Sequence, residues 1–276
     1  MGITPKQFVL QRLKVVINKG KPIIGAGCSS GLIAKSAELA GADLIIVYST
    51  GWSRLMGLPT IMFGDSNKVT LQMGKEIRLA VKDAPLIAGI AANDPLRRIT
   101  EVLEEAVDVG FKGVINFPTV GIDRLTMPED ETLKLGFEKE LKLIEDANQI
   151  GLFTMAYVFN QHEAKAMAAK GVDVVVAHMG WTTGGLVGAE ADKVKKYEEA
   201  TASTQEICQA AKKEKSDVIL LAHGGSFTSA EDTKVLYEYT AAVGFVGAST
   251  IERIPVEKEV METVRAFKNA SLPERD

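Results

Sequence analysis

Three histidines occur in the chain, and each closes or follows a short apolar run that leads into a polar loop. His162 lies in Phe159-Asn160-Gln161-His162-Glu163, His178 in Ala177-His178-Met179-Gly180, and His223 in Ala222-His223-Gly224-Gly225. Imidazole titrates near neutral pH, so these positions suit proton transfer. His178 and His223 are therefore the leading catalytic candidates, the competing possibility being that they only cap strands. His162 falls in what reads as a first helical turn and is the weaker candidate.

The other polar loops could receive an anion. Gly25-Ala26-Gly27-Cys28-Ser29-Ser30-Gly31 opens a helix, and Gly27 could bring backbone amides close to a ligand. Tyr48-Ser49-Thr50-Gly51-Trp52-Ser53-Arg54 offers Ser49 and Arg54, and a guanidinium can clamp a carboxylate or phosphate in a fork. Asn93-Asp94-Pro95 offers Asp94, which helix capping would equally explain. Asn116, in Asn116-Phe117-Pro118-Thr119, is a candidate amide donor to a substrate oxygen, or else a loop brace. Gly180-Trp181-Thr182-Thr183-Gly184-Gly185 continues to Gly188-Ala189-Glu190 with the composition of a lid or anion cradle. Thr183, Gly184 and Gly185 would bind substrate there and Glu190 would assist catalysis on closure. Gly224, Gly225, Ser226 and Ser249 occupy two further loops suited to an anionic group. No lysine ends an apolar run, which argues against a Schiff base. No Cys/His spacing resembles a structural zinc site.

Eight apolar runs must position these residues: 22–26, 44–48, 86–90, 113–117, 152–158, 172–177, 218–222 and 244–248. They are continuous rather than alternating, as expected of a parallel sheet covered on both faces. The segments between them have helical period, for example Ile99, Val102, Leu103, Ala106 and Val107, or Leu133, Phe137, Leu141, Ile144 and Ala147. Glycines 41, 110, 151 and 171 stand where such helices should stop. Eight strand–helix units without a change of composition predict a (β/α)8 TIM barrel over residues 1–270, with 271–276 as a frayed tail. The alternative is an open doubly wound sheet. Ahead of the first strand, Thr4 and Pro5 start an extra amphipathic helix that would close the amino-terminal end or join a subunit interface.

Bulk composition narrows the function classes. The 276 residues are 46% hydrophobic and 25% charged, ordinary values for a globular protein. A net charge of −4 does not suit a general nucleic-acid binder. Two cysteines, Cys28 and Cys208, make no disulfide framework and fit a reducing, cytoplasmic setting. No apolar run reaches the roughly 20 residues of a membrane span, and no signal-peptide core opens the chain.

The strand-end strings also carry a family resemblance. Asn116-Phe117-Pro118-Thr119-Val120-Gly121, Tyr157-Val158-Phe159-Asn160, Ala177-His178-Met179-Gly180 with Thr182-Thr183-Gly184-Gly185, His223-Gly224-Gly225, and Gly247-Ala248-Ser249 with Glu252-Arg253 resemble the phosphoenolpyruvate hydrolase-like TIM-barrel family. The carboxy-terminal domain of Tm-1-like proteins belongs to the same group. The resemblance implies kinship with the phosphoenolpyruvate mutase and isocitrate lyase superfamily, whose members stabilise an enolate of a 2-oxo acid with Mg²⁺. It implies a hydrolase or lyase for a small anionic 2-oxo acid or a phosphoenolpyruvate- or phosphonopyruvate-like substrate, and a homo-oligomer. The sequence departs from the acidic Mg²⁺ pattern, because strand two ends in Tyr48-Ser49 and only Asp94 stands at strand three. The cofactor is left open, with a divalent Mg²⁺ or Zn²⁺ on Asp94, Asp65, His178 or His223 as the candidate. Two alternatives stand beside it: a zinc-dependent retro-Claisen or aldol-type lyase using His178, His223 and Glu190, and a barrel that senses a ligand without catalysis.

Overall fold

The computed structural model describes residues 2–62, 64–124 and 132–272. Its strands are β1 (Ile23–Gly27), β2 (Leu44–Val47), β3 (Leu86–Ile90), β4 (Gly113–Asn116), β5 (Phe153–Val158), β6 (Val174–His178), β7 (Ile219–His223) and β8 (Gly244–Gly247). All neighbours pair in parallel, and β8 returns to β1, so the sheet closes into a barrel. The expected (β/α)8 architecture is present, and the open sheet is excluded. Helices α1 (Pro5–Asn18), α2 (Gly31–Leu39), α3 (Gly51–Leu55), α4 (Ser66–Ile77), α5 (Ile99–Val109), α6 (Val120–Asp123), α7 (Thr132–Gln149), α8 (Gln161–Ala169), α9 (Tyr197–Glu214), α10 (Ala230–Tyr239) and α11 (Ile254–Lys268) surround it. A π-helical turn, Ser249–Arg253, leads into α11. The predicted stops at Gly41, Gly110, Gly151 and Gly171 all have positive φ.

Alternation within each strand sorts its side chains into two layers. Ile23, Leu44, Ile46, Ile87, Ile115, Phe153, Met155, Val174, Val176, Ile219, Leu221 and Val246 fill the barrel interior. Their neighbours in sequence, such as Ala26, Ile45, Val47, Ala88 and Val114, pack outward under the helices. The extra helix α1 begins with a capping box between Thr4 and Gln7, with Pro5 in its first turn. Val9 and Leu13 are fully buried among the interior residues, so α1 plugs the amino-terminal end. The carboxyl end is left as the open mouth.

The last helix differs from the others. No residue of α11 is buried, and Val256, Val260, Val264 and Phe267 are all exposed at three- and four-residue spacing. Every residue of the eight strands is buried except Ile24 on the outer face of β1, opposite Phe245 of β8. Ser271 and Leu272 of the expected frayed tail lie outside any helix or strand, and 273–276 fall outside the described residues, as does the side chain of Leu133. Among the described residues, no helix is long and apolar enough to cross a membrane.

Candidate active site

The inward period carries one residue from each of five strands up to the mouth. Tyr48 continues the Leu44/Ile46 face, Phe117 follows Ile115, Tyr157 follows Met155, His178 follows Val176, and His223 follows Leu221. These side chains, with Arg54, Trp181, Ser249 and Arg253, line a cavity of about 360 Å³. His178 and His223 are direct partners across β6 and β7. Their ring centroids lie 4.5 Å apart with planes at 64°, and Phe159 stacks on His178 at 4.5 Å.

Hydrogen bonds fix opposite tautomers in the two imidazoles. The Gly180 amide donates to His178 Nδ1 at 3.0 Å, so that nitrogen bears no proton and Nε2 carries it. His223 Nδ1 lies 2.6 Å from the Val246 carbonyl, which can only accept, so Nδ1 is the donor and Nε2 keeps its lone pair. Burial pushes both pKa values down, His178 well below the usual histidine range with help from His223 beside it, and His223 to about 4. The cavity therefore presents one N–H donor and one free base in neutral form at pH 7.

Two guanidiniums complete it. Arg54, on the short helix α3, is buried and bonded through Nε to Glu252. Its Nη2 and the Glu252 Oε2 are buried without a partner in the described structure. Arg253 donates to Glu257 at 2.8 Å and to the Gly184 carbonyl at 3.0 Å, which ties the 180–190 loop to the cavity wall. Tyr48 and Tyr157 share a 2.6 Å hydroxyl–hydroxyl bond, and burial raises both pKa values, so neither is a phenolate at neutral pH. Gly27 leaves room for this: a Cβ there would lie 3.1 Å from the Tyr48 ring and 2.9 Å from Ala248.

Several sequence candidates fall elsewhere. Asn116 shares the outward face of Val114 and is fully buried. It donates to Glu140 at 2.6 Å and to the Tyr157 carbonyl at 3.2 Å, and accepts from the Tyr157 amide at 2.7 Å. Its side-chain groups are spent on β5 and on Glu140 of α7, so it positions Tyr157 and offers nothing to substrate. The Ser49 hydroxyl bonds to Ser66. Gly224 and Gly225 support the neighbouring loop: the Gly225 amide donates to the Gly180 carbonyl at 3.1 Å, and a Cβ on Gly224 would stand 2.4 Å from that oxygen. Thr183 donates its amide to Gly225, while the Ser226 hydroxyl is buried without a described partner. Gly184 and Gly185 lie beside Arg253, in the loop rather than on the cavity wall. Glu190 is exposed, pairs with Lys193 at 2.7 Å, and borders an adjoining cavity that shares His178 and Trp181 with the first. His162 is exposed on α8.

The acidic candidates form a different group. Asp65 caps α4, and Asp94 accepts from the Leu96 and Arg97 amides. Arg97 bridges the two carboxylates, at 2.5 Å to Asp65 and 2.7 Å to Asp94. Burial raises the Asp94 pKa, but donors from Asn67, Leu96 and Arg97 bring it below the usual range. Both line a second cavity of about 350 Å³, which shares none of its lining residues with the first. The set Asp65, Asp94, His178 and His223 thus does not converge, and a guanidinium sits where Mg²⁺ would need the carboxylates. Among the described residues no three His, Cys, Asp or Glu side chains group to hold a metal. Of the Zn²⁺ set, His178 and His223 face each other, whereas Glu190 is exposed and paired with Lys193.

Tyr48, Phe117, Tyr157, Trp181 and Arg253 were not among the sequence candidates. The signal that finds the first three is the two-residue period, which puts the last aromatic of each strand inward. For Arg253 only its place in a family string pointed to it.

Comparisons agree with this fold. The ToMV susceptible protein tm-1(GCR26) of Solanum lycopersicum is 41% identical over 270 residues, 96% of this chain; the chain spans 36% of that relative's length. A crystal structure of phosphonopyruvate hydrolase with oxalate and Mg²⁺ matches with TM-score 0.61 at 17% identity, over 98% of this chain and 92% of that one. One of oxaloacetate acetylhydrolase matches with TM-score 0.64 at 14% identity, over 100% and 91%. At such identities these two show the shared barrel alone. The phosphoenolpyruvate hydrolase-like family model matches residues 8–270, and the chain belongs to that family.

Proposed function

We propose that the barrel is a hydrolase or lyase that cleaves a small 2-oxo acid through an enolate, without a step that needs a protein-bound metal. The observation that carries this is the pair of neutral imidazoles, one donor and one base, at the floor of a cavity that also holds Arg54. In a hydrolytic C–C cleavage, His223 Nε2 takes a proton from water as the oxygen bonds to the acyl carbon. Collapse of the adduct breaks the C–C bond and leaves its electron pair as the enolate of the 2-oxo acid. His178 Nε2–H and the unpartnered Arg54 Nη2 hold the enolate oxygen and the carboxylate. The His223 imidazolium then returns its proton to the carbon. The family's membership and the named activities of the fold neighbours support an oxo-acid substrate. The experiment is product analysis by NMR on a panel of 2-oxo acids. Turnover by the wild-type chain that is lost in a His178→Gln/His223→Gln double variant is the expected result. Tight binding across the panel with no turnover would replace the catalytic proposal with the ligand-sensing one.

A second copy of the chain completes the outer layer in this proposal. The stripe Val256, Val260, Val264 and Phe267 has no cover, while Ile24 is the one open strand position, at the seam where the helix after β8 would pack. Two chains that exchange α11 would satisfy both. Sedimentation should show a dimer or larger assembly, and Val260→Glu/Val264→Glu should yield folded monomers. A monomeric wild-type chain at micromolar concentration would end this part of the proposal. Both cysteines are free and buried, which supports a reducing, cytoplasmic setting.

A further inference from the structure

We infer that the substrate carries a bulky apolar, aryl-sized group beside a single carboxylate, rather than a phosphonate or a second carboxylate. This rests on the cavity between His178, His223 and Arg54 being the active site.

The first argument is charge. The cavity is lined by two cations, Arg54 and Arg253, and each already has its carboxylate, Glu252 and Glu257 respectively. Both histidines are neutral, the two tyrosines are protonated, and among the described residues no lysine lines the wall. The net charge of this set is zero. A phosphonate plus a carboxylate would bring about three negative charges against cations already engaged, and unpaired charge is costly in a buried site. The donors left over, the His178 Nε2–H and the Arg54 guanidinium, suit one carboxylate and an enolate oxygen.

The second argument is the shape and chemistry of the wall. Tyr48 and Phe117 stand edge to face at 5.0 Å, and Phe117 and Tyr157 at 5.6 Å. With Trp181 and Ile61 they give the cavity an aromatic and aliphatic lining, continuous with the imidazoles through Tyr157, whose ring lies 4.9 Å from that of His178 and 5.0 Å from that of His223. Such rings attract another ring edge-on or offset, beyond simple area burial. At about 360 Å³, the cavity falls in the range of sites for ligands larger than a three-carbon acid, roughly 300–1,000 Å³.

The test compares phenylpyruvate with phosphonopyruvate by calorimetry on the Trp52→Phe variant. The chain has two tryptophans, and Trp52 is not on the cavity wall, so emission then comes from Trp181 alone. Phenylpyruvate is expected to bind at least about tenfold more tightly, the return from burying an aryl group, and to shift Trp181 emission. Equal or tighter binding of phosphonopyruvate, with the same Trp181 response, would overturn the inference while leaving the active site in place. Phenylpyruvate binding that leaves Trp181 emission unchanged would also overturn it. If neither compound binds or moves Trp181, both the inference and the active-site assignment fall.

Discussion

Replacing His223 with Gln should lower turnover of the accepted oxo acid by about 10²–10⁴-fold with little change in KM. His223 Nε2 is the one imidazole nitrogen at the cavity left with a lone pair, because Nδ1 donates to Val246. Its pH dependence should separate catalysis from mere packing. Burial lowers the pKa to about 4, so the base stays free down to that pH. The acid limb of kcat/KM should therefore fall near pH 4 rather than near the 6.5 of an ordinary histidine. Stability carries the same signature. The folded-state pKa lies below the unfolded one, so between 6.5 and 4 the unfolded chain binds more protons. This contribution is complete above pH 6.5 and is lost as the pH falls toward 4, to the extent of roughly 3 kcal/mol. Thermal melts from pH 4 to 7 should thus rise less steeply for His223→Gln than for wild type. An unaltered rate in the variant, or an acid limb near 6.5, would remove His223 from its assigned role.

Both imidazoles were legible in the sequence because they end their strands on the inward parity, where a run such as Val174–His178 puts every second residue into the barrel. Strand positions were legible to within a residue or two for a related reason: a parallel strand covered on both faces must be apolar throughout. That same uniformity hid the parity of β4. Asn116 and Phe117 both look like strand-end residues, yet Ile115 and Phe117 point in while Asn116 points out toward Glu140 on α7. Counting from an inward anchor would have exchanged the polar candidate for the aromatic one. Asp65 and Asp94 line a second cavity, where Arg97 bridges both, and the capping role of Asp94 was one of the two uses its sequence allowed. The Arg54–Glu252 pair joins residues 198 positions apart, so nothing local could reveal it.

That pair should show the largest stability effect of any single polar substitution at the site. The Arg54 and Glu252 side chains are only 3% and 1% exposed. Glu252→Gln would leave a guanidinium buried without its counter-charge, a change that costs about 3–5 kcal/mol. Joint replacement by apolar residues of similar volume, Arg54→Met with Glu252→Leu, removes both charges and should recover most of that loss. The double variant should still bind an oxo acid poorly, because the guanidinium on the cavity wall is gone. Glu252→Gln alone offers a further check: its unpaired Arg54 faces the cavity, so a small carboxylate such as acetate should raise its melting temperature more than that of wild type. Cys28 reports independently, since Glu252 nearby adds to the burial that raises its pKa, while Arg54 opposes. Its thiol should become more readily alkylated in Glu252→Gln under native conditions, provided the fold is retained. A Glu252→Gln chain as stable as wild type, with no response to acetate, would mean that the buried ion pair neither stabilises this end of the barrel nor holds Arg54 ready for an anion.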